Sequence, residues 1–158
     1  MDTKLTSREE QLVEHAKQAI VKYNKFRQGK GGIDTLYDFL ITEDGNIYEG
    51  AAFEPPMAHA TVCGERHAMA NMVMENGYDT KIESIIVADP VPSVQIHGRF
   101  PCGTDRNLIW KFGKPDTSVI LMQYIRKDNS WTFPKLEKFT IEELYPHQYE
   151  PPEDLWDK

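Results

Sequence analysis

One largely apolar run, at residues 82–88, constrains the fold more than any other feature of the sequence. It reads IESIIVA and is rich in β-branched residues, which favour an extended strand. A strand that is apolar on both sides has to be covered on both faces, as the central strands of α/β sheets are. The run therefore predicts a buried central strand with helices packed above and below it.

The first helix is expected over residues 7–25. A capping box can begin it in two ways, Ser7 with Glu10 or Thr6 with Glu9. Its apolar residues recur at spacings of three and four, so they fall on one face: Leu12, Ala16, Ala19, Ile20 and Tyr23.

Three later segments are also predicted as helices. The second helix is expected from residue 63 to about residue 76, where Gly77 ends it. The third is expected over residues 103–113. A short final helix is predicted over FTIEEL, residues 139–144, because this segment contains a Thr-x-x-Glu capping box.

Four other segments are predicted as strands. Residues 36–42 and 46–51 flank Asp44-Gly45, a dipeptide typical of hairpin turns, so these strands are expected to pair antiparallel. Residues 117–124 are predicted as another strand and residues 131–133 as a short one. The order α-β-β-α-β-α-β-β-α predicts an α/β fold, a three-layer αβα sandwich with a mixed five-stranded sheet.

The composition narrows the class of protein. The 158 residues are expected to form a single domain, with an acidic tail at about 151–158. With 18 Lys+Arg against 25 Asp+Glu, the net charge of −7 argues against a broad basic surface for nucleic acid. No segment has the roughly 18 apolar residues that span a bilayer, and the first residues contain no apolar signal core. The sequence therefore predicts a cytoplasmic protein that acts on a small molecule, with neither nucleic acid nor a membrane as partner.

The two cysteines lie in short segments that can hold a metal ion. Cys63 opens CGER (residues 63–66), and Cys102 lies in PCGTD (residues 101–105). Both segments come at expected helix starts, where the positive end of the helix dipole lowers the pKa of a thiol. Because Cys102 and Asp105 are three residues apart, their side chains can face one side of the first turn. Cys63, Cys102 and Asp105 are therefore the predicted zinc ligands, with a fourth position left for water.

Glu65 is the expected catalytic residue. It lies two residues after Cys63, near enough to reach a metal-bound water without binding the metal. Zinc deaminases of nucleobases have a similar pattern, (His or Cys)-x-Glu followed by Pro-Cys-x-x-Cys. The first half is complete here, and Asp105 stands in place of the last cysteine of the second half. If Asp105 is not the third ligand, His97 or His59 is the alternative.

These motifs and three further segments resemble the cytidine deaminase family. YNKFR at residues 23–27 is similar to the family's Tyr-x-x-Phe segment at the end of its first helix. LITEDGNIY at residues 40–48 is similar to its first hairpin, and TIEELYP at residues 140–146 to its closing Glu-Leu-Leu-Pro element. The resemblance covers residues 8–150. It implies zinc-dependent hydrolytic deamination of cytidine and deoxycytidine in pyrimidine salvage, as in the small homotetrameric members and their blasticidin-S deaminase-like relatives.

The resemblance also implies roles for individual residues. Arg66 would hydrogen-bond the metal-bound thiolates and offset their negative charge. Glu54, Phe26 and Gly64 would contact the substrate, a small-molecule nucleoside or amino-heterocycle. The cofactor would be zinc, and the protein would be a homo-oligomer, either a tetramer or a dimer.

Two residues and one strand segment depart from the family's pattern. Ala52 occupies the place of an asparagine that contacts the ribose, and His59 replaces a small residue. The strand that begins LYDF at residues 36–39 has bulk and a charge where small residues are usual. These departures keep two alternatives open. One is a deaminase of a modified nucleoside, a nucleoside antibiotic or a free base, and the other is a non-catalytic relative used for binding or assembly.

Overall fold

The computed structural model describes residues 4–25, 36–53, 60–90, 100–128 and 130–148. Its helices are α1 (Ser7–Lys25), α2 (Gly64–Asn76), α3 (Gly103–Phe112) and α4 (Ile141–Leu144). Its strands are β1 (Tyr37–Thr42), β2 (Ile47–Ala51), β3 (Ile82–Asp89), β4 (Ser118–Lys127) and β5 (Ser130–Thr140). The predicted acidic tail lies outside the described residues. None of the described helices is both long and apolar enough to cross a membrane.

The five strands form one mixed sheet in the order β2-β1-β3-β4-β5. β1 pairs antiparallel with both β2 and β3, β3 pairs parallel with β4, and β4 pairs antiparallel with β5. Helix α1 packs on one face of the sheet, and α2, α3 and α4 pack on the other. The predicted three-layer α/β sandwich with a mixed five-stranded sheet is confirmed.

Strand β3 is the buried centre of this sheet, as its sequence predicted. Ile86 and Ala88 belong to the core under α1, whereas Ile85 and Val87 belong to the core under α2 and α3. Because successive side chains of a strand point to opposite faces, one apolar run supplies both cores.

Of the two capping boxes considered for α1, the described structure forms the one between Thr6 and Glu9. The Thr6 N–H donates to Glu9 Oε2 at 2.7 Å, and the Glu9 N–H donates to Thr6 Oγ1 at 3.2 Å. The Glu9 carboxylate also accepts a hydrogen bond of 2.8 Å from Lys138 Nζ on β5. One buried carboxylate therefore caps α1 and ties it to the sheet.

The C-terminal part of the chain differs from its prediction. The expected short strand at residues 131–133 is part of β5, which pairs with β4 from Ser130 to Thr140. Strand β5 alternates exposed and partly buried residues in its first half and carries Pro134, as edge strands do, so its apolar signal is weak. Because β5 includes residues 139 and 140, α4 begins only at Ile141. The capping box between Thr140 and Glu143 forms as predicted.

Candidate metal centre

The starts of α2 and α3 bring the three predicted metal ligands together. Cys63 and Cys102 are the N-cap residues of these helices, and neither side chain makes a capping hydrogen bond. Cys63 Sγ, Cys102 Sγ and a carboxylate oxygen of Asp105 all lie within 4.8 Å of one another. Residues that are about forty positions apart in the sequence therefore form one cluster of donor atoms.

Within this cluster, Cys102 and Asp105 lie on the same side of the first turn of α3. Cys102 Sγ is 2.7 Å from Asp105 Oδ2. The Asp105 side chain is fully buried, Cys63 is half-buried and Cys102 is exposed. The three donor groups therefore run from the protein surface at Cys102 to the buried carboxylate of Asp105.

The donor set fits a zinc ion. Two thiols and one carboxylate are groups that zinc binds in proteins, and three protein donors leave the fourth position open, as in catalytic sites. Asp105 Oδ1 is buried and has no hydrogen-bond partner in the described part of the chain. This oxygen faces the Arg66 guanidinium without hydrogen-bond alignment, and a bound cation would reduce the cost of burying it. His97 and His59, the alternative third ligands, lie outside the described residues.

Arg66 in the first turn of α2 faces two of the three ligands. Its Nη2 donates to Cys63 Sγ at 3.4 Å, and its Nε lies 3.2 Å from Asp105 Oδ1. The second contact is an ion pair without hydrogen-bond alignment, since both atoms are otherwise unpaired. Arg66 therefore lies where it offsets negative charge on Cys63 and Asp105, in keeping with the role implied by the resemblance.

The Cys63 thiol is less acidic than its place at a helix start predicts. Burial raises its pKa to about 12; the hydrogen bond from Arg66 opposes this rise, and the nearby Asp105 adds to it. The dipole of α2 alone therefore does not produce a thiolate, because burial and the neighbouring carboxylate outweigh it. A cation at the cluster would supply the positive charge that ionises the thiol.

Glu65 is buried in the first turn of α2, with 6 % of its surface exposed. Burial, together with the negative charge of Asp105, raises the pKa of Glu65 to about 7. Its own backbone N–H and the charge of Arg66 act in the opposite direction. A carboxyl group with a pKa near 7 can both accept and donate protons at neutral pH, as proton transfer in catalysis requires.

A further buried carboxyl group, that of Asp38 on β1, was not among the predicted site residues. Burial raises its pKa well above the usual range, and the negative charges of Glu65 and Asp105 raise it further. Its carboxyl group lies against Gly64, because a Cβ on Gly64 would be 2.0 Å from Asp38 Oδ2. The signal in the sequence was the charge in an otherwise apolar strand.

Gly64 was expected to contact substrate, and it lies between a predicted ligand and the expected catalytic residue. Its carbonyl oxygen would be 2.1 Å from a Cβ on Gly50, so strand β2 passes directly against the start of α2. Two glycines thus allow the hairpin to hold the metal-binding segment closely. The substrate contact itself stays a prediction.

The other expected substrate contacts are not tested by the structure. Phe26 and Glu54 lie outside the described residues. Ala52 follows β2, where its N–H donates to the Leu36 carbonyl at 2.9 Å. Its methyl side chain has no hydrogen-bonding group for a ribose.

A separate groove of about 860 Å³ runs along β2 and the flank of α2. Tyr23, Glu49, Ala52 and His67 are among its lining residues, whereas none of the three predicted ligands lines it. His67 closes one side, where its Nδ1 lies 2.6 Å from the Ala51 carbonyl oxygen. We assign no part of the chemistry to this groove.

Comparison with known proteins supports the fold. No family model matches the chain. The cytidine deaminase from Burkholderia pseudomallei aligns with a TM-score of 0.62 and 19 % identity over 85 % of this chain and 98 % of that chain. The cytidine deaminase from Mycobacterium tuberculosis aligns with a TM-score of 0.52 and 15 % identity over 85 % and 98 %. That from Bacillus anthracis aligns with a TM-score of 0.51 and 16 % identity over 87 % and 89 %. The chain therefore has a cytidine deaminase-like fold.

Proposed function

We propose that the protein is a zinc-dependent hydrolase that deaminates an amino-pyrimidine, with a cytidine-like nucleoside as the first candidate substrate. The observation that carries this proposal is the cluster of Cys63, Cys102 and Asp105, whose donor atoms lie within 4.8 Å of one another. Three donors with a proton-transferring carboxyl group two residues from one of them are typical of a catalytic zinc site. The cytidine deaminase-like fold supports the same reaction class.

Cys63, Cys102 and Asp105 would hold the zinc, which would supply a water made nucleophilic at neutral pH. Glu65 accepts a proton from the attacking water as the water oxygen adds to the amino-bearing ring carbon, and passes that proton to the adjacent ring nitrogen. Glu65 then carries the remaining hydroxyl proton to the amine. The C–N bond breaks, ammonia leaves, and the ring carbon becomes a carbonyl.

Arg66 assists by charge rather than by proton transfer. Two thiolates and a carboxylate bring three negative charges to a divalent ion, which leaves an excess of one. The guanidinium contacts Cys63 Sγ and Asp105 Oδ1 and balances this excess. Without it, the electron-rich ligands would make the metal-bound water less acidic.

Ala52 favours a second candidate substrate. Since its methyl group offers no hydrogen bond to a sugar hydroxyl, a modified nucleoside, a nucleoside antibiotic or a free base is the alternative to cytidine. A non-catalytic binding protein is the remaining alternative, but the buried Glu65 with a pKa near 7 argues for proton transfer.

The resemblance supports two further parts of the proposal: the protein would be a homo-oligomer, a tetramer or a dimer, and would work in pyrimidine salvage. Its charge and hydropathy support a cytoplasmic protein with neither nucleic acid nor a membrane as partner. Light scattering of the purified protein tests the oligomeric state directly, since a monomer would contradict it.

Ammonia release tests the proposed reaction. The zinc-loaded protein is assayed on cytidine, deoxycytidine, cytosine and blasticidin S, beside Glu65→Gln and the control Glu75→Gln, an exposed residue of the same helix. We expect Glu65→Gln to retain about one zinc per chain and to lose at least about 100-fold in turnover, with Glu75→Gln unchanged. Full turnover in Glu65→Gln would contradict the mechanism. Absence of both zinc and turnover in the wild type would favour the non-catalytic alternative.

A further inference from the structure

Asp38 is a buried acidic side chain for which the described residues provide no hydrogen-bond donor. It is 1 % exposed, and neither carboxyl oxygen has a hydrogen-bond partner among the described residues. Removing a carboxyl group from water without compensation costs several kcal/mol. Native proteins contain few such groups, and each one calls for an explanation.

The place of this carboxyl group is built into the backbone. Asp38 lies two residues before Leu40 on β1, so both face the side of the sheet that packs against α2. Gly64 leaves the space that the carboxyl group fills, since any Cβ there would lie 2.0 Å from Asp38 Oδ2. The sheet neighbours of Asp38 are Gly50 and Val87, whose side chains offer no polar atom.

The carboxyl group of Asp38 lies beside the candidate active site, because it packs against Gly64, the residue between the predicted ligand Cys63 and the expected catalytic residue Glu65. The nearby cationic side chain, Arg66, is directed to Cys63 and Asp105. No described residue donates to Asp38, and a molecule bound at the site would supply such a donor.

We propose that Asp38 is a specificity-determining residue whose carboxyl group accepts a hydrogen bond from a ring N–H of the substrate. This inference rests on the proposed function and names its substrate class: amino-heterocycles that carry a ring N–H in addition to the amidine that is hydrolysed. A free base has such a hydrogen on the nitrogen that bears the sugar in a nucleoside. The inference thus favours the free base over the nucleoside, in agreement with the methyl side chain of Ala52.

Equilibrium binding to zinc-loaded Glu65→Gln tests this without requiring turnover. The probes are matched pairs that differ by one methyl group on a ring nitrogen: cytosine with 1-methylcytosine, and adenine with 9-methyladenine. Calorimetry is carried out with Asp38 intact, with Asp38→Asn, which keeps one acceptor oxygen, and with Asp38→Ala. Glu9→Gln is the matched control, because Glu9 is about equally buried but belongs to α1, which packs on the opposite face of the sheet.

We expect the N–H member of at least one pair to bind about tenfold or more tightly than its methylated partner. Asp38→Asn should keep part of this preference, Asp38→Ala should abolish it, and Glu9→Gln should leave it unchanged. Zinc content and melting temperature identify any variant that is misfolded, and Asp38→Asn, which has nearly the same volume, keeps the test decisive.

The outcomes separate this inference from the proposed function. An equal preference in all variants, or no binding by any probe, would overturn the role of Asp38 even if the wild type releases ammonia. A preference that is lost in Asp38→Ala, in a wild type that releases no ammonia, would uphold the role of Asp38 and contradict the proposed reaction.

Discussion

Two buried carboxyl groups on opposite faces of the same sheet have opposite environments. Glu9, in the first turn of α1, is 2 % exposed and accepts hydrogen bonds from Lys138 Nζ at 2.8 Å and from the Thr6 N–H at 2.7 Å. Asp38, under α2, is 1 % exposed, and no donor among the described residues reaches it. The two carboxyl groups are thus about equally buried, but Glu9 has hydrogen-bond donors, whereas Asp38 has none among the described residues.

The difference appears in the acidity of the two groups. Burial alone would raise the pKa of Glu9, but hydrogen bonds from Lys138, Ser118 and the Thr6 backbone outweigh burial and lower it. The pKa of Asp38 rises well above its usual value because burial is reinforced by the negative charges of Glu65 and Asp105. The fold therefore supplies counter-charges where a carboxylate is structural. On the opposite face several acidic groups lie close together, and among the described residues Arg66 is the only cation near them.

The largest effect is expected at the metal cluster. Asp105→Ala removes one of three donors, and we expect zinc affinity to fall by about a thousandfold, since each donor contributes a few kcal/mol to zinc binding. Competition with a chromophoric chelator measures the affinity, with the exposed Asp116→Ala as control. Unchanged zinc affinity in Asp105→Ala would remove this residue from the metal site.

The pH dependence of stability should differ in sign between the two faces. In chelator-treated protein, Glu65 has a pKa raised from 4.5 to about 7, so the folded state binds more protons than the unfolded state within that window. Its contribution to stability is then present below about pH 4.5 and is lost, by a few kcal/mol, as the pH rises through 7. Glu9, with its lowered pKa, contributes stability that is lost as the pH falls below 4.5.

Melting temperatures from pH 4 to pH 8 in the presence of chelator measure both slopes. Glu65→Gln should make the decline between pH 4.5 and 7 shallower, with the remaining decline due to Asp38, whose pKa is also raised, and should leave the acid limb intact. Glu9→Gln should reduce the loss of stability below pH 4.5 and leave the decline between pH 4.5 and 7 unchanged. If Glu65→Gln leaves the decline unchanged, then Glu65 is not the buried acid described above.

The hydrogen bonds and ion pair of Glu9 should contribute measurably to the free energy of unfolding. Glu9→Gln leaves Lys138 without its carboxylate, and we expect the free energy of unfolding to fall by about 2 kcal/mol. Urea denaturation measures this, with the exposed neighbour Glu10→Gln as control. An equal effect in both variants would show that burial of Glu9 brings no structural benefit.

The smallest effect is expected at Asp38. Because no hydrogen bond is lost, Asp38→Asn should leave the free energy of unfolding unchanged or raise it by up to about 1 kcal/mol. The same urea titration measures it beside Glu9→Gln. A loss of about 2 kcal/mol or more would mean that Asp38 has a structural partner, and the contrast with Glu9 would disappear.

The sequence was sufficient to predict the features that depend on local pattern. The apolar run of β3 indicated the layered sheet, and the spacing of Cys102 and Asp105 at a helix start indicated that their side chains lie on one side of a turn. These predictions hold because they depend on contacts within a few residues. The extent of β5 was missed, since its strand conformation comes from pairing with β4 rather than from its own apolar pattern.

The place of Asp38 could not be predicted for a different reason. Its significance depends on the missing Cβ of Gly64, a residue 26 positions later in the sequence that meets it only in the folded chain. The charge in an apolar strand was visible, but it indicated only a departure from an expected pattern. The choice between the two capping boxes of α1 was equally non-local, because Lys138 on β5 also binds Glu9.

Zinc-edge X-ray absorption of the zinc-loaded protein tests most directly whether Cys63, Cys102 and Asp105 form one metal centre. We expect two sulfur neighbours at about 2.3 Å together with oxygen neighbours at about 2.0–2.2 Å. Cys63→Ser and Cys102→Ser should each remove one sulfur from this shell. A zinc shell that contains no sulfur, or one that neither variant alters, would contradict the metal centre and the reaction proposed for it.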